Sequence, residues 1–540
     1  MSWLIVNHPM PWPAFYSDAL AALVLWVVSL VVLARRGKTV SVPVLFLWCF
    51  AVALLPWLQF GTGEIYFFGT AWIHSLYLLG FAVAVLVGYD WERTAEGECL
   101  DFLFLAIVMA AILSVAMQLI QWMALDIGSI LVLQPGRERF DANLGQPNQL
   151  ASLLLLGACG VAWGYARGFL RASVSVVLLV YLLTGVALTG SRTAWLNVAG
   201  LAVFLPMFWQ ERRPTHLRFS LIALAGYFFA LSLSLPILNH WLFGGGAALR
   251  DASDPLRLMI WRIFSNAVIN GPFFGYGWGQ SISAALVSPN YPNQSVMSYA
   301  HNLFLDLMVY NGLLIGGLIS AGIIYIFISF LKHIQHPEAT IPFASTAVLL
   351  VHAMLEYPLH YGYFLLPFGI FVGSLCFHSN VREMGGLSRR GLVAALLVLG
   401  GALMITIHDC LEAERTYFSI NYSKRNMEVP INELPVLYVL DQWQERLQLA
   451  NMFRPEIENG ANRQWIWSVL VTTPDPAYAL NLAQNYAANG QQMEARYWLN
   501  TMCKMAPSEV AQRLEGEWRV LRYTETFYAA VDWAACSKPR

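Results

Sequence analysis

Residues 303–330 read LFLDLMVYNGLLIGGLISAGIIYIFISF and contain one charged side chain, Asp306. A helix that crosses a bilayer needs roughly 20 mostly apolar residues, so this stretch is long enough to span a membrane. Eleven further stretches have the same character. The twelve predicted spans are 14–34, 41–60, 69–88, 101–123, 149–166, 173–190, 194–209, 217–237, 303–330, 341–357, 361–378 and 391–409. The pattern predicts an all-α fold, that of a polytopic membrane protein.

The composition of the whole chain supports this class. Of the 540 residues, 57% are hydrophobic and 12% are charged, which is about half the charged fraction of an ordinary soluble domain. The 20 Trp residues fit a protein with many side chains at membrane interfaces. Nucleic-acid binding would need a dense basic stripe, which the sequence lacks, so nucleic acid is not expected as a partner.

Lys and Arg side chains predict how the spans are oriented, because cytoplasmic loops carry an excess of these residues. The loops after the first, fifth, seventh, ninth and eleventh spans are basic, whereas the loop 89–100 is acidic. The basic loops contain Arg35, Arg36, Lys38, Arg167, Arg171, Arg212, Arg213, Arg218, Lys332, Arg382, Arg389 and Arg390. The loops 124–148, 190–193 and 238–302 are therefore predicted to face outside, together with the C-terminal region. The N-terminus then also lies outside, so either the first helix inserts unaided or another helix precedes it.

A change in composition near residue 410 predicts a transmembrane domain, 1–410, followed by a soluble helical domain, 411–540. Residues 478–507 have small and aromatic side chains at helical spacing around a glycine turn. This stretch is similar to one tetratricopeptide helix pair, and a generic helical hairpin explains it equally well. The predicted topology puts Cys503 and Cys536 in an oxidising compartment, where a disulfide is one option that spacing alone leaves open.

Common soluble-enzyme signatures are missing from the sequence. It contains no Walker loop, dinucleotide glycine fingerprint, HExxH, CxxC pair or DxD triplet, so no cofactor and no metal are predicted. The remaining candidates are polar side chains at the external ends of apolar helices. A charge at the centre of a membrane helix costs roughly 2.5–3.5 kcal/mol, so such residues are candidates for function.

Two arginines could bind phosphate groups. Arg192 lies in LTGSRTAWLN, between two spans, and Arg257 lies in DPLRLMIWRIF, on a predicted amphipathic helix in the long external loop that also carries Arg262. A guanidinium group can donate two parallel hydrogen bonds to a phosphate. The alternatives are an interfacial arginine that snorkels to the membrane surface and a solvated arginine on a surface helix.

A histidine is the candidate for acid–base chemistry. His301 and Asn302 stand at the start of the span that begins at residue 303. Imidazole has an ordinary pKa of about 6.5, which suits a general base near neutral pH. The alternative is a His–Asn pair that only caps the helix. His352, inside a span, is predicted to be a packed residue.

Amide, carboxylate and hydroxyl groups occur at two further external helix ends. They could bind a sugar or orient a phosphate, or they could cap helices and form part of an aromatic belt. These candidates are Gln146, Asn148, Glu356 and Tyr357.

Five segments together resemble the O-antigen ligase and polymerase superfamily of bacterial membrane glycosyltransferases, and most closely its pilin-glycosylating branch, the protein O-oligosaccharyltransferases. In chain order they are GQPNQLA, SRTAW, the DPLR…W…GYGW loop, AHNLFLDLMVYNGLLIGG and MLEYPLHYGYFLLPFG. The resemblance implies en bloc, inverting, metal-independent transfer of a glycan from undecaprenyl diphosphate to Ser or Thr of a pilin-like acceptor protein. It also implies a Gram-negative inner-membrane protein whose active site faces the periplasm.

The resemblance assigns roles to individual residues. His301 matches the essential histidine of the family, which is either the base or an acceptor-positioning group. Arg192 and Arg257 match the arginines that hold the diphosphate. Gln146 and Tyr357 match a functional Gln and Tyr, and Asn148, Asn302 and Glu356 are supporting candidates. Close relatives usually carry one more helix before Phe15, and by its sequence this chain is expected to lack it.

Three other functions compete with this interpretation. Ligation of O-antigen to lipid A–core and polymerisation of the glycan belong to the same superfamily; the C-terminal domain and the LEYPLHYGYF block favour a protein acceptor. A transporter of polyprenyl-linked sugars would show internal repeats and paired, interrupted helices. The sequence shows no such pairing, and the long loop with its Arg and His residues favours an enzyme.

Overall fold

A computed structural model describes residues 1–33, 38–125, 131–133, 139–208, 215–243, 255–288, 297–334, 336–423, 434–451, 460–533 and 535–536. Each of the twelve predicted spans coincides with helix, and the second is divided into two. These helices are α1 (Phe15–Leu33), α2 (Val44–Ala53), α3 (Leu55–Thr62), α4 (Phe68–Thr94), α5 (Glu98–Trp122), α6 (Pro147–Ala166), α7 (Ala172–Leu188), α8 (Arg192–Phe208), α9 (Thr215–Phe243), α12 (Leu303–Leu331), α13 (Pro337–Ala353), α14 (Gly362–His378) and α15 (Arg389–Ser423).

The other elements lie in the long loop, at the chain ends and in the basic loops. The long loop carries α10 (Pro255–Asn270) and α11 (Ser281–Leu286). The C-terminal region carries α16 (Asp441–Asn451), α17 (Gly460–Thr472), α18 (Pro476–Ala488), α19 (Gln492–Met505), α20 (Ser508–Thr524) and α21 (Thr526–Ala529). Two short strands, β1 (Thr39–Pro43) and β2 (Glu383–Ser388), and 3₁₀ turns at Ser2–Leu4 and Pro358–His360 complete the described structure.

Eight helical segments in the described part of the chain are long and apolar enough to cross a membrane. They are α1, α2 with α3, α4, α5, α6, residues 220–243 of α9, α12 and residues 389–420 of α15. The helices α7, α8 and α14 are apolar but shorter, and α13 has 17 residues. The chain is therefore an all-α, multi-pass membrane protein, while the number of twelve spans stays a prediction.

The chain divides into two compact units that are each assembled from separate stretches. The first unit contains residues 1–53, 76–254 and 322–404, and the second contains 54–75, 255–321 and 405–540. The predicted domain boundary at residue 410 lies within α15, which runs from Arg389 to Ser423 without a break. The division into a membrane domain and a soluble domain at that position stays a prediction.

At one end of the first unit, loops that were predicted to be cytoplasmic meet. Strand β1 follows the first span and pairs antiparallel with β2, which follows the eleventh. Tyr89, at the end of the third span, donates a hydrogen bond of 2.6 Å to Glu383. Arg389 approaches Asp90 at 3.4 Å. The predicted basic residues Arg35, Arg36, Arg212 and Arg213 lie outside the described residues.

The loops predicted to be external meet at the other end of the same unit. Asn143, in the loop before α6, donates to the carbonyl oxygen of Leu4 at 3.1 Å, so the N-terminal segment lies at this end. Asn148 donates to Glu356 at 3.2 Å, which adds the turn between α13 and α14. Because Asn148 and Arg167 flank opposite ends of α6, the two groups of loops are about 30 Å apart along the helix. This grouping agrees with the predicted alternation, and which end faces the periplasm stays a prediction.

Helix α6 is the most buried of the eight membrane-length segments, since 78% of its apolar stretch is buried within the protein. Glycines let its neighbours approach closely, as is common between membrane helices. A Cβ atom on Gly157 would lie 2.6 Å from the Cβ of Ala111 on α5, and one on Gly185 of α7 would lie 2.5 Å from Val115. The rigid packing of α5, α6 and α7 therefore supports the end of α6 that carries Asn148.

In the second unit, the C-terminal region is tied to the start of α4. The carboxylate of Asp441 accepts hydrogen bonds from the backbone amides of Phe68 at 3.1 Å and Gly69 at 2.7 Å, so it caps α4. A disulfide joins Cys503 to Cys536, the pairing that spacing had left open. The predicted hairpin is present as α18 and α19 around Gly490, which has φ 74°, and its likeness to a tetratricopeptide pair stays a prediction.

Candidate functional site

The first candidate residue, Gln146, is the N-cap of α6. Its side-chain oxygen accepts a hydrogen bond of 2.8 Å from the backbone amide of Gln149, which satisfies one of the amides that have no partner within the helix. Pro147 follows at the first helical position, where its lack of an amide hydrogen does no harm. The structure therefore gives Gln146 a capping role, and a role toward substrate stays a prediction.

Two residues further along the chain, Asn148 joins two charged side chains. Its amide oxygen accepts a hydrogen bond of 3.0 Å from Arg139, and its amide nitrogen donates one of 3.2 Å to Glu356. Glu356 is buried, and burying a carboxylate is costly unless it is hydrogen-bonded. Asn148 and Glu356, which were predicted separately, therefore belong to one cluster.

Arg139 is the member of this cluster that the motifs did not identify. It comes from the loop before α6, and its Nε donates a hydrogen bond of 2.9 Å to the carbonyl oxygen of Thr189 at the end of α7. Its signal in the sequence is only its position in the predicted external loop 124–148, outside all five family-like segments. Pairing across about 50 residues of chain is invisible to motif spacing.

Arg192 is the first residue of α8 and is half-buried. The turn before it contains Gly190 with φ 58°, a conformation that glycine adopts without penalty. Ser191 caps the helix, because its hydroxyl accepts from the backbone amide of Ala194 at 3.3 Å. The turn is thus a defined structure that holds Arg192 at the same end of the first unit as Asn148 and Glu356.

Tyr357 lies in the turn between α13 and α14 and stacks on Tyr361, with ring centroids 6.0 Å apart. Tyr361 in turn stacks on Tyr363 at 5.2 Å. Burial raises the pKa of the Tyr357 hydroxyl, and the charge of Glu356 adds to the rise. The phenol therefore stays protonated near neutral pH, where it can donate a hydrogen bond.

His352 is buried inside α13. Its Nδ1 lies 2.7 Å from the hydroxyl of Ser152 on α6. This is the packed, hydrogen-bonded position that its place within a span predicts.

In the second unit, His301 lies in a strained turn directly before α12. Its φ is 55°, a conformation that is uncommon for residues other than glycine. Asn302 accepts a hydrogen bond from the amide of Leu305 at 3.1 Å, so it caps α12. The buried carboxylate of Asp306 accepts one from the amide of Ala300 at 2.8 Å and interacts electrostatically with His301. The flanking hydrogen bonds hold the histidine in a backbone conformation that it would not choose alone.

The GYGWG segment packs against a break in α12. Gly312 has φ 73° and ψ 170°, which interrupts the helix. The carbonyl oxygens of Val309 and Tyr310, which the break leaves without helical partners, accept hydrogen bonds from the amides of Tyr276 and Gly277 at 2.9 and 3.1 Å. This segment thereby fixes the first part of α12, which His301 precedes.

Arg257 lies in the first turn of α10 and is half-buried, whereas Arg262 is exposed. The two residues are five positions apart, so they point about 140° away from each other around the helix. The predicted helix that carries both arginines is present as α10. The structure brings Asn148, Glu356 and Tyr357 together in the first unit, and His301 and Asn302 together in the second, which also contains Arg257.

Within the described residues there is no group of three or more His, Cys, Asp or Glu side chains arranged to hold a metal ion.

Two protein-family models match the chain. The model described as O-antigen ligase matches residues 177–321, which include Arg192, Arg257 and His301. The model described as virulence factor membrane-bound polymerase, C-terminal, matches residues 342–520, which include Glu356 and Tyr357. With its multi-pass helical fold, the chain is thus similar to the membrane-bound ligases and polymerases of the O-antigen class.

Two curated relatives, both from Acinetobacter baylyi (strain ATCC 33305 / BD413 / ADP1), narrow this class. A general O-oligosaccharyltransferase is 32% identical over 390 residues, which are 69% of this chain and 67% of the relative. A ComP-specific O-oligosaccharyltransferase is 29% identical over 406 residues, 73% of each chain. The chain belongs to the O-oligosaccharyltransferase family.

Proposed function

We propose that the protein transfers a preassembled glycan from undecaprenyl diphosphate to Ser or Thr of a pilin-like acceptor at the periplasmic face of a Gram-negative inner membrane. The observation that carries this proposal is the 32% identity to a general O-oligosaccharyltransferase over more than two thirds of both chains. The disulfide between Cys503 and Cys536 supports an oxidising compartment for the C-terminal region.

His301 is the proposed base or acceptor-positioning residue. A hydroxyl group is a poor nucleophile until its proton is removed. With the proton on His301, the hydroxyl oxygen attacks the anomeric carbon from the side opposite the phosphate. The bond between that carbon and the phosphate oxygen breaks, and undecaprenyl diphosphate leaves with the electron pair, so the configuration inverts.

The proposed role of Arg192 and Arg257 is to hold the diphosphate. Negative charge grows on this leaving group as the bond breaks, and fixed cations lower the barrier most where charge develops. Guanidinium groups remain protonated and do so without a metal. Gln146, Asn148, Asn302, Glu356 and Tyr357 are proposed to bind the sugar or to support these residues.

The experiment offers purified protein in liposomes an undecaprenyl-diphosphate glycan and two acceptors, a pilin and lipid A–core. Wild type is compared with His301→Ala and with His333→Ala, a control at the other end of α12, where His333 is exposed. Glycosylated pilin with wild type and His333→Ala, but not with His301→Ala, is the expected result.

The second candidate function is ligation of the glycan to lipid A–core. It is favoured by the match of residues 177–321 to the O-antigen ligase model. Transfer to lipid A–core alone would replace the proposed acceptor with this one. If neither acceptor is modified and the lipid-linked sugar crosses the bilayer, the proposed enzymatic function is refuted in favour of transport.

A further inference from the structure

Arg139 makes hydrogen bonds to two separate helices of the first unit. Its Nε donates to the carbonyl oxygen of Thr189 at the end of α7 at 2.9 Å, and its Nη2 donates to the side chain of Asn148 on α6 at 3.0 Å. A Cβ atom on Gly190 would lie 3.7 Å from Nε. The guanidinium thus lies against the turn that carries Arg192 two residues later.

The contact with Asn148 extends to a third element. The amide nitrogen of Asn148 donates to Glu356, so its amide oxygen is directed at Arg139 and its nitrogen at the carboxylate. An amide can serve both partners at once only in this orientation. Arg139 therefore determines how Asn148 is turned, and with it the partner of the buried Glu356.

We propose that Arg139 is a positioning residue for the lipid-linked diphosphate. It holds the turn before Arg192 and the Asn148–Glu356 pair in one arrangement, so that the donor meets a preformed site. This inference rests on the proposed function, because it takes the diphosphate of the donor as the ligand of Arg192. Side chains that hold binding groups in place contribute through orientation, which small displacements destroy.

Arginine is suited to this role in a way that lysine is not. The Nε and Nη2 atoms of a guanidinium lie in one plane and can donate to two acceptors at the same time. The ammonium group of a lysine also carries three donors, but they radiate from one nitrogen on a flexible stem and do not form a planar fork. Arg139→Lys should therefore keep the charge but hold Thr189 and Asn148 together less well than the arginine does.

The test measures initial rates at varied donor and at varied acceptor for wild type, Arg139→Ala and Arg139→Lys. Arg167→Ala is the matched control, because Arg167 makes two hydrogen bonds of 3.1 Å to Asp101 beyond the opposite end of α6. Arg139→Ala should raise the donor KM about tenfold, since lost hydrogen bonds to charged groups are costly. The acceptor KM and the unfolding midpoint should stay near wild type, and Arg139→Lys should recover part of the loss.

A double-mutant cycle tests whether Arg139 acts by positioning Asn148 or contributes to donor binding independently of it. If Arg139 acts through Asn148, Arg139→Ala combined with Asn148→Ala should raise the donor KM no more than the larger single change, because coupled residues are not additive. Additive effects would overturn the inference, as would an unchanged donor KM. Equal losses in all parameters for Arg139→Ala and Arg167→Ala would show only a structural role and also overturn it.

The experiment distinguishes a failure of the proposed function from a failure of this inference alone. Wild type that transfers glycan to no acceptor refutes the function whatever the variants do, whereas active wild type with an unaffected Arg139→Ala refutes only this inference. If Arg139→Ala does not fold, Arg139→Lys carries the test: a raised donor KM at an unchanged acceptor KM supports the inference, and wild-type kinetics overturn it.

Discussion

At the scale of single residues, His301 combines a chemical and a conformational requirement. Its φ of 55° lies in the left-handed region, which Asn tolerates better than most residues and β-branched residues tolerate poorly. Residues held in such regions cost roughly 1–3 kcal/mol and cluster at functional sites. Two hydrogen bonds stabilise this turn. Asp306 accepts one from Ala300, just before His301, and Asn302 accepts one from Leu305, just after it.

Two substitutions at His301 should separate these requirements. His301→Asn keeps the backbone conformation and removes the imidazole, so transfer should fall by a factor of about 100 or more while the unfolding midpoint stays near wild type. His301→Val should lose transfer and also unfold at a lower temperature. Transfer rates and thermal unfolding in detergent check both expectations. Activity of His301→Asn within a factor of about ten of wild type would rule out the base.

Tyr357 leads to a prediction about pH. Burial raises the pKa of its hydroxyl above the ordinary value of about 10. The protonated form is thus favoured in the folded protein, and its stabilising contribution is complete below the ordinary pKa and lost only as pH rises through the raised one. Tyr357→Phe should therefore reduce transfer by the same factor, about three to ten for one neutral hydrogen bond, at every pH from about 6 to 9. Rate profiles of the two proteins over this range check it, and a ratio that changes with pH would contradict it.

The candidate residues illustrate what sequence can predict at this scale. Asn302 and Gln146 could be placed at helix starts, because amide side chains before apolar runs commonly cap helices. Arg139 could not be connected with Glu356, because their link through Asn148 depends on how three helices pack. The φ of His301 also depends on packing, since no local pattern around SYAHN demands it.

At the scale of elements, α12 depends on one glycine. A Cβ atom on Gly312 would collide with the carbonyl oxygen of Phe273, and its φ of 73° disfavours other residues. The break that this glycine permits exposes carbonyl groups to which the GYGWG segment binds. The irregular backbone is thereby satisfied by protein, as it must be at membrane depth.

Gly312→Ala should consequently destabilise the second unit. We expect a cost of about 2–4 kcal/mol from backbone strain and overpacking, with a matching loss of transfer. Gly317→Ala in the same helix is the control, since a Cβ atom there meets nothing within 4 Å. Thermal unfolding of the two variants in the same detergent compares them directly. Equal midpoints would show that the break does not depend on Gly312.

The helices themselves could be predicted, whereas their interruptions could not. Apolar runs such as 303–330 identify a helix because lipid leaves the backbone no other partner. The break at Gly312 occurs where a neighbouring segment, GYGWG, supplies hydrogen bonds to α12. The β1–β2 pair likewise joins residues about 340 positions apart, and strands of five and six residues leave little periodic signal.

At the scale of the whole chain, two features concern its orientation in the membrane: the disulfide, and the distribution of Lys and Arg among the loops. Cys503 and Cys536 are paired, and the other five cysteines, Cys49, Cys99, Cys159, Cys376 and Cys410, are buried. A disulfide is rare in a reducing cytoplasm and is expected in an oxidising compartment. The excess of Lys and Arg in the loops at the β1–β2 end indicates independently that this end is cytoplasmic.

This orientation can be tested with two single cysteines at opposite ends of the first unit. Met10 and Leu387 have nearly equal exposure, 41% and 42%, so they make a matched pair. Because the five free cysteines of the chain are buried, background labelling by a membrane-impermeant maleimide should be low. Met10→Cys should react in intact spheroplasts, and Leu387→Cys only after the membrane is permeabilised. The reverse pattern would put Arg139, Asn148, Arg192 and Glu356 on the cytoplasmic face, where a periplasmic acceptor could not reach them, and would overturn the proposed reaction as well as the topology.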